Sequence, residues 1–520
     1  KGLEMVICGI IALILGVGSA RFAALAGQGL GAELRRAEYE KLQKYSFSNI
    51  DHFRVSSLVT RLTSDVTNIQ NTVSTGMRPF CRGPVMLVAA TAVAFSINRE
   101  LAVVFLVALP VLACLLFCIT MKVRPLYGVM QEAIDNVNRI IQENLAAVRV
   151  VKAYVRGDYE NAKFEEGNEN LKEQSERAFR LAALNMPAMQ FVMYGTILSI
   201  LWFGGGLINT GKMEVGEVTG FLSYVLQILN SLMMISNVFL MMTRSIASGV
   251  RIMEVIDEKV DITDEKARDI QVERGEIDFD HVWFKYKKDA EEYVLSDISF
   301  HIEPGQTLGI IGQTGSAKTT LVQLIPRLYE AERGIVRVDG IPVEEYPMEH
   351  LRDAIAMVLQ KNTLFSGSLL SNLKWGNENA SQEEVELACR IACADEFISR
   401  LPQGYETEMG QGGVNVSGGQ KQRLCIARAL LKRPRVLILD DSTSAVDTAT
   451  EGKIRERLKT YLPDMTKIII AQRISSVRHA DQILILDDGK VNDIGTHEAL
   501  LERNEIYRQI YDSQKEGGEL

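Results

Sequence analysis

Long unbroken apolar stretches open the chain and short ones close it, with the change falling near the middle. A helix needs roughly 20 apolar residues to cross a bilayer. Five segments have that character: Leu3 to Leu30, Met77 to Ile97, Leu101 to Thr120, Asn185 to Ile208 and Val218 to Met242. The connections after the first and third are long and carry Arg35, Arg36, Lys41, Lys44, Arg54, Arg61, Lys122, Arg124, Arg149 and Lys152. An excess of Arg and Lys places such connections on the cytoplasmic side. The other connections, Asn98-Arg99-Glu100 and Asn209 to Glu217, are short and weakly charged, so the spans pair as hairpins turned outward. An odd number of spans with an external start predicts a further span ahead of Lys1, six in the full chain.

The cytoplasmic connections keep helical periodicity over much of their length, as in Gln131 to Val151 and Asn161 to Leu184, so the membrane helices are predicted to project beyond the bilayer as levers. Short pieces near Ser46 to Phe53 and Ala153 to Glu160 are where levers of this kind would press on a soluble partner domain. Beyond Glu276 the pattern changes to short Val/Ile/Leu strands alternating with polar helices, the signature of a soluble α/β domain. The expected organisation is a membrane domain over 1–250, a linker over 251–275, an α/β domain over 276–513 and a tail over 514–520.

Composition narrows the reading. A net charge of −9 gives no nucleic-acid footprint. The seven cysteines lack metal-ligand spacing and read as reduced thiols. Methionines crowd the last spans and their flanks (Met186, Met189, Met193, Met213, Met233, Met234, Met241, Met242), where they suit either core packing or a pocket for varied apolar ligands.

Chemistry concentrates in the second half. A strand over Gly309-Ile310-Ile311 leads into Gly312-Gln313-Thr314-Gly315-Ser316-Ala317-Lys318-Thr319, followed by a helix expected from about Lys318 to Leu328. Backbone amides at such a turn converge on phosphate oxygens, with Gly312, Thr314, Gly315, Ser316, Ala317 and Thr320 shaping the cradle. Lys318 adds a charge, and the Thr319 hydroxyl is a candidate Mg²⁺ ligand. Ala317 puts a methyl where glycine is usual, which a negative φ would tolerate. The apolar run Val436 to Leu439 delivers Asp440 to a strand end, the place of a Mg²⁺-holding carboxylate, with Asp441 next to it. Tyr286 offers a ring face for adenine, with Tyr293 as a rival. Gln360 follows the strand Ile355 to Leu359 and can reach a metal and an attacking water. Ser417-Gly418-Gly419-Gln420 opens a long helix ending near Arg433-Pro434, and its amides form a second anion site. A phosphate there is one this chain cannot easily reach with its own loop, which calls for a second nucleotide domain stacked head to tail.

In order and spacing these motifs resemble the ABC transporter superfamily, and a membrane half preceding the ATPase resembles an exporter-type half-transporter. Leu373-Lys374-Trp375-Gly376, Asp440-Asp441-Ser442-Thr443-Ser444 and Ile470-Ala471-Gln472-Arg473 are similar to the degenerate-site half of bacterial heterodimeric multidrug exporters. The resemblance implies an all-α polytopic membrane domain fused to an α/β P-loop NTPase domain, in a bacterial cell membrane with the nucleotide domain cytoplasmic. It implies ATP and Mg²⁺, a partner half-transporter, a lipid bilayer and an amphiphilic small-molecule cargo. By that likeness Tyr286 stacks adenine, Gln360 is the Q-loop residue, Ser417 to Gln420 the signature, Ser444 to Asp447 the D-loop and Gln472 the switch position. The coupling pieces would lie near Ser46 to Phe53 and Ala153 to Glu160.

Against the family pattern Asp441 stands where a water-positioning glutamate belongs and Gln472 where a histidine belongs. A carboxylate one methylene short, beside a neutral amide, predicts slow hydrolysis in this chain's own site. The intact signature would then complete a faster site whose loop and glutamate come from the partner. The rivals are a homodimeric lipid or peptide exporter with two slow sites and an ATP-gated membrane protein that does not pump.

Overall fold

The computed structural model describes residues 2–441 and 445–516, which divide into two compact units. The first unit comprises Lys1–Glu40 and Leu58–Asp257. Among the described residues, five helices are long and apolar enough to cross a membrane: Gly2–Gln43, Val55–Ile97, Arg99–Ala146, Gly157–Asn209 and Val215–Asp257. The shortest has 42 residues. At 1.5 Å per residue that is roughly 60 Å, about twice the hydrocarbon thickness, so every helix outruns the bilayer. Leu101, Ala102, Phe105, Leu112, Ile200, Phe221, Val225 and Ile228 form the buried centre of the bundle, with Phe105 stacked on Phe221 at 5.3 Å.

The last of these helices does not stop at residue 250. Ile252 and Val255, both 1% exposed, continue its buried stripe to Asp257. A turn over residues 154–156 separates the helices Val148–Ala153 and Gly157–Ala182, where a short pressing piece was expected.

Lys41–Ser57 belongs to the second unit, together with the chain from Glu258 onward. The short helix Phe47–His52 is closed by a reciprocal capping box between Ser46 and Asn49. Asn49 Nδ2 donates to the Lys259 carbonyl at 2.9 Å, and Tyr329 Oη donates to Asp51 Oδ2 at 2.6 Å. Residues 258–275 are not a free linker: Ile262 and Val272 are buried, and the Asp339 carboxylate accepts the backbone N–H groups of Glu273, Arg274, Gly275 and Glu276. At the other end of the unit, a helix over Glu505–Glu516 crosses the boundary set at residue 513.

A six-stranded sheet forms the centre of this unit, in the spatial order Lys490–Gly495, Gln482–Asp487, Thr307–Ile311, Thr466–Ile470, Val436–Asp440, Ile355–Val358. The last five are mutually parallel, and only Lys490–Gly495 runs against its neighbour. Val436–Asp440 and Thr466–Ile470 are buried at every position, because a parallel sheet is covered on both faces. A second, antiparallel sheet pairs Ile277–Phe284 with Leu295–Ile302 and Arg333–Val338. Parallel packing brings the C-terminal ends of Thr307–Ile311, Thr466–Ile470 and Val436–Asp440 side by side, where ligands of α/β sheets bind.

Candidate nucleotide site

At those strand ends a cavity of about 320 Å³ is lined by Val294, Thr314, Gly315, Ala317, Lys318, Thr319, Thr320, Gln360, Asp440, Asp441, Ile470 and Gln472. Four separate sequence motifs, the glycine-rich loop, Gln360, Asp440-Asp441 and the Ile470 to Gln472 stretch, therefore meet in one place. Gly312 begins the loop where no side chain fits: a Cβ there would lie 2.1 Å from the Leu486 carbonyl oxygen. Ser316 is 5% exposed and sits beneath the loop. Lys318 Nζ donates to the carbonyls of Gly312 at 2.8 Å and Gln313 at 2.7 Å. Burial holds the Lys318 pKa below the usual lysine range, while Asp440 and Asp441 pull the other way.

Ala317 does not adopt the negative φ that would make its methyl harmless. Its φ is +69°, left-handed, at the N-cap of the helix Lys318–Gln323. That conformation costs a non-glycine residue roughly 1–2 kcal/mol, and the loop accepts it to turn from Gly315 into the helix. The helix is also shorter than Lys318 to Leu328. Pro326, which lacks an N–H and disfavours helix before it, follows three residues after the last helical one.

Asp440 is 1% exposed and accepts the Thr319 hydroxyl on Oδ1 at 3.0 Å. Its Oδ2 is buried with no hydrogen-bond partner. A buried carboxylate oxygen left unmatched beside a hydroxyl is the donor set a hard cation takes, so Asp440 and Thr319 fit Mg²⁺. Burial raises the Asp440 carboxyl above the ordinary aspartate range, against the Thr319 bond and the Lys318 charge. A bound cation would reverse that and keep Asp440 ionised.

Asp441 has φ +47°, another left-handed residue. Its Oδ2 accepts Gln472 Nε2 at 2.9 Å and Gln360 Nε2 at 3.4 Å. Burial raises its pKa and these two amides, with Lys318, oppose the rise. The side chain of Gln360, assigned to metal and water, thus points its amide at Asp441.

Tyr286 lies beside the loop: its hydroxyl is 2.8 Å from Thr320 Oγ1, and Phe284 and Tyr329 meet its ring edge-on, leaving it 46% exposed. The rival Tyr293 has its ring taken by Lys285 and Arg333. Ser417 to Gln420 is not among the residues lining this cavity. Ser417 caps the helix Gly418–Leu431 by a reciprocal box with Gln420, and a Cβ on Gly419 would lie 2.7 Å from the Ala445 carbonyl oxygen. Ser442, Thr443 and Ser444 lie outside the described residues, so of the expected D-loop only Ala445, Val446 and Asp447 are seen. Sequence reasoning missed Val294 and Ile470 in the cavity wall, which are ordinary strand-end apolar residues in the sequence, and Tyr329.

Residues 3–232 match the family model of the ABC transporter transmembrane region, and residues 295–444 match that of the ABC transporter. An uncharacterized ABC transporter ATP-binding protein of Bacillus subtilis (strain 168), YfiB, is 40% identical over 520 residues, 100% of this chain and 90% of the relative. The chain is an ABC transporter. This transporter is also 32% identical to an ATP-dependent lipid A-core flippase of Syntrophus aciditrophicus (strain SB), over 94% of the chain and 81% of the flippase. Among solved structures it is similar to a bacterial Atm1-family ABC exporter with ATP bound, with a TM-score of 0.80 and 26% identity over 94% of this chain and 86% of that one. The ABC transporter described here has that exporter fold, with a multi-pass membrane domain and a cytoplasmic ATPase domain that couples ATP to transport.

Proposed function

We propose that this ABC exporter subunit works in a heterodimer, holding ATP in a slow site of its own and lending its signature turn to a faster site on the partner. The observation that carries this reading is the Asp441 carboxylate, whose Oδ2 is engaged by the amides of Gln472 and Gln360. A general base must meet the attacking water at hydrogen-bond distance. Asp441 is one methylene shorter than glutamate, and a misplacement on the order of 1 Å costs about a hundredfold in rate. Gln472 has no ring nitrogen to carry charge toward a γ-phosphate. Tyr286 against adenine, Lys318 and the loop amides on phosphate, and Thr319 and Asp440 on Mg²⁺ would still bind nucleotide, so retention outlasts hydrolysis.

Cargo is an amphiphilic small molecule, drugs included. The first unit holds a cavity of about 500 Å³ walled by Val103, Val107, Val111, Phe191 and Phe203, with Thr196, Ser199 and Glu100 as its polar points. That volume and that sparse polarity suit one amphiphile.

The decisive experiment replaces the partner's catalytic glutamate by glutamine in the assembled pair and measures ATP turnover. Near-complete loss is expected. Persisting turnover, or brisk hydrolysis by this chain purified alone, would overturn the division of labour and leave a symmetric exporter.

A further inference from the structure

Glu38 is a buried acid that the nucleotide chemistry does not use. It lies in the first helix roughly 12 Å past Leu30, on the cytoplasmic extension, at 1.5 Å per residue. It is 0% exposed, and neither carboxylate oxygen has a hydrogen-bond partner. An ionised carboxylate in such a place is strongly disfavoured, whereas a neutral acid is tolerated.

The charges around it are committed elsewhere. Arg35, on the same helix, donates to Gln70 Oε1 at 3.2 Å. Across from it, Arg61 reaches Glu254 Oε2 at 2.8 Å and the Arg251 carbonyl at 2.6 Å. Asp65 accepts Arg251 Nε at 2.8 Å and the Ser248 hydroxyl at 2.8 Å. The segment Arg61–Asp65 is therefore fastened to the helix Val215–Asp257 by two Arg–carboxylate pairs, and Glu38 is enclosed beside that fastening without a bond of its own.

We propose that Glu38 carries a proton in this arrangement and releases it to solvent when residues 61–65 part from the first helix, so that movement of these cytoplasmic helix ends is linked to pH. The step breaks one O–H bond, gives the proton to bulk water and leaves a hydrated carboxylate. Burial, with the charge of Asp65 added, lifts the Glu38 carboxyl to about 7, against the pull of Arg61 and Arg35. The sign follows. The closed packing holds its proton while a solvated Glu38 has lost it, from the ordinary glutamate value of 4.5 up to about 7. Closure is therefore favoured at acid pH, loses that support as pH rises through this window, and gains nothing further above it. Across the whole window the packing equilibrium shifts on the order of a hundredfold.

The test uses the purified full chain in lipid nanodiscs. Infrared titration follows the carbonyl band of protonated carboxylic acids in wild type, E38Q and E38L, and the difference between wild type and variants separates Glu38 from Asp440 and Asp441. Hydrogen exchange of amides 61–65, corrected for intrinsic rates, is followed over the same range. A band that titrates out near pH 7 in wild type and is missing from both variants is expected, with exchange at 61–65 rising with pH in wild type and flat in E38Q. The proposal falls if wild type shows no acid titrating between about pH 5 and 9, or if the exchange profile of E38Q follows that of wild type. Either variant alone supplies the comparison should the other fail to fold, and a wild type without an acid titrating in this range overturns the proposal by itself.

Discussion

Two glycine-rich turns open helices in the second unit, and they are built in opposite ways. At Lys318 the N-cap is Ala317, left-handed and without a side-chain capping bond, and the helix lasts 6 residues. At Gly418 the N-cap is Ser417, extended and locked in a capping box with Gln420, and the helix lasts 14 residues. A turn that leaves its amides uncapped keeps them for a ligand and relies on that ligand for its shape. One that caps itself holds its geometry unaided. The first turn shares its cavity with the Asp441 carboxylate and the Gln472 amide, while the second stands apart from that cavity. The difference teaches that the two turns hold their shape by different means, one leaving its amides open and the other closing on its own side chains.

The largest effect that would sharpen the contrast is at Gly419. Gly419→Ala brings a methyl against the Ala445 carbonyl oxygen, and turnover of the assembled pair should drop about a hundredfold or more, the scale of losing a positioned donor. A loss under about twofold would show that the signature turn serves no catalytic site. Next comes the double substitution Asp441→Glu with Gln472→His, measured in a pair whose partner glutamate has been disabled. Turnover should rise about 10- to 100-fold as base and switch return. No rise would place the defect elsewhere, with Ala317 first in line. Tyr286→Ala should weaken ATP retention by about tenfold, the worth of one aromatic stacking contact, as read by nucleotide trapping. Unchanged retention would move adenine to another wall. The smallest effect belongs to Ala317→Gly, which removes left-handed strain worth roughly 1 kcal/mol and should tighten ATP binding about fivefold. Weaker binding would mean the methyl supports the loop.

Much of this was readable from residues because the signals are local. Membrane spans follow from apolar length, and the turn at Gly312 to Ala317 from glycine spacing after a strand; five long apolar helices and a strand, turn and helix stand at those places. What escaped depends on tertiary neighbours. No pattern at Ala317 announces a positive φ, since the turn from Gly315 into the helix imposes it. Gln360 reads as a metal and water ligand by position, yet its amide meets Asp441 because two strand ends converge there. Glu38 sits in a run of charged residues, Glu33 to Lys41, with nothing in the sequence to set it apart, and only the packed helices enclose it. The segment 251–275 reads as a linker in the sequence, yet its start completes a long helix and Asp339, far along the chain, gathers its end.

That last carboxylate has a practical bearing on how the ATPase half can be excised. Cutting at residue 276 would strip three of the four amides from Asp339 and remove the buried Val272 and Ile262, baring the surface they cover. Even a cut at Glu258 would leave Tyr329 without Asp51. A faithful soluble fragment has to start at Glu258 and carry residues 41–57 with it, tethered as a separate peptide or spliced on by a short loop.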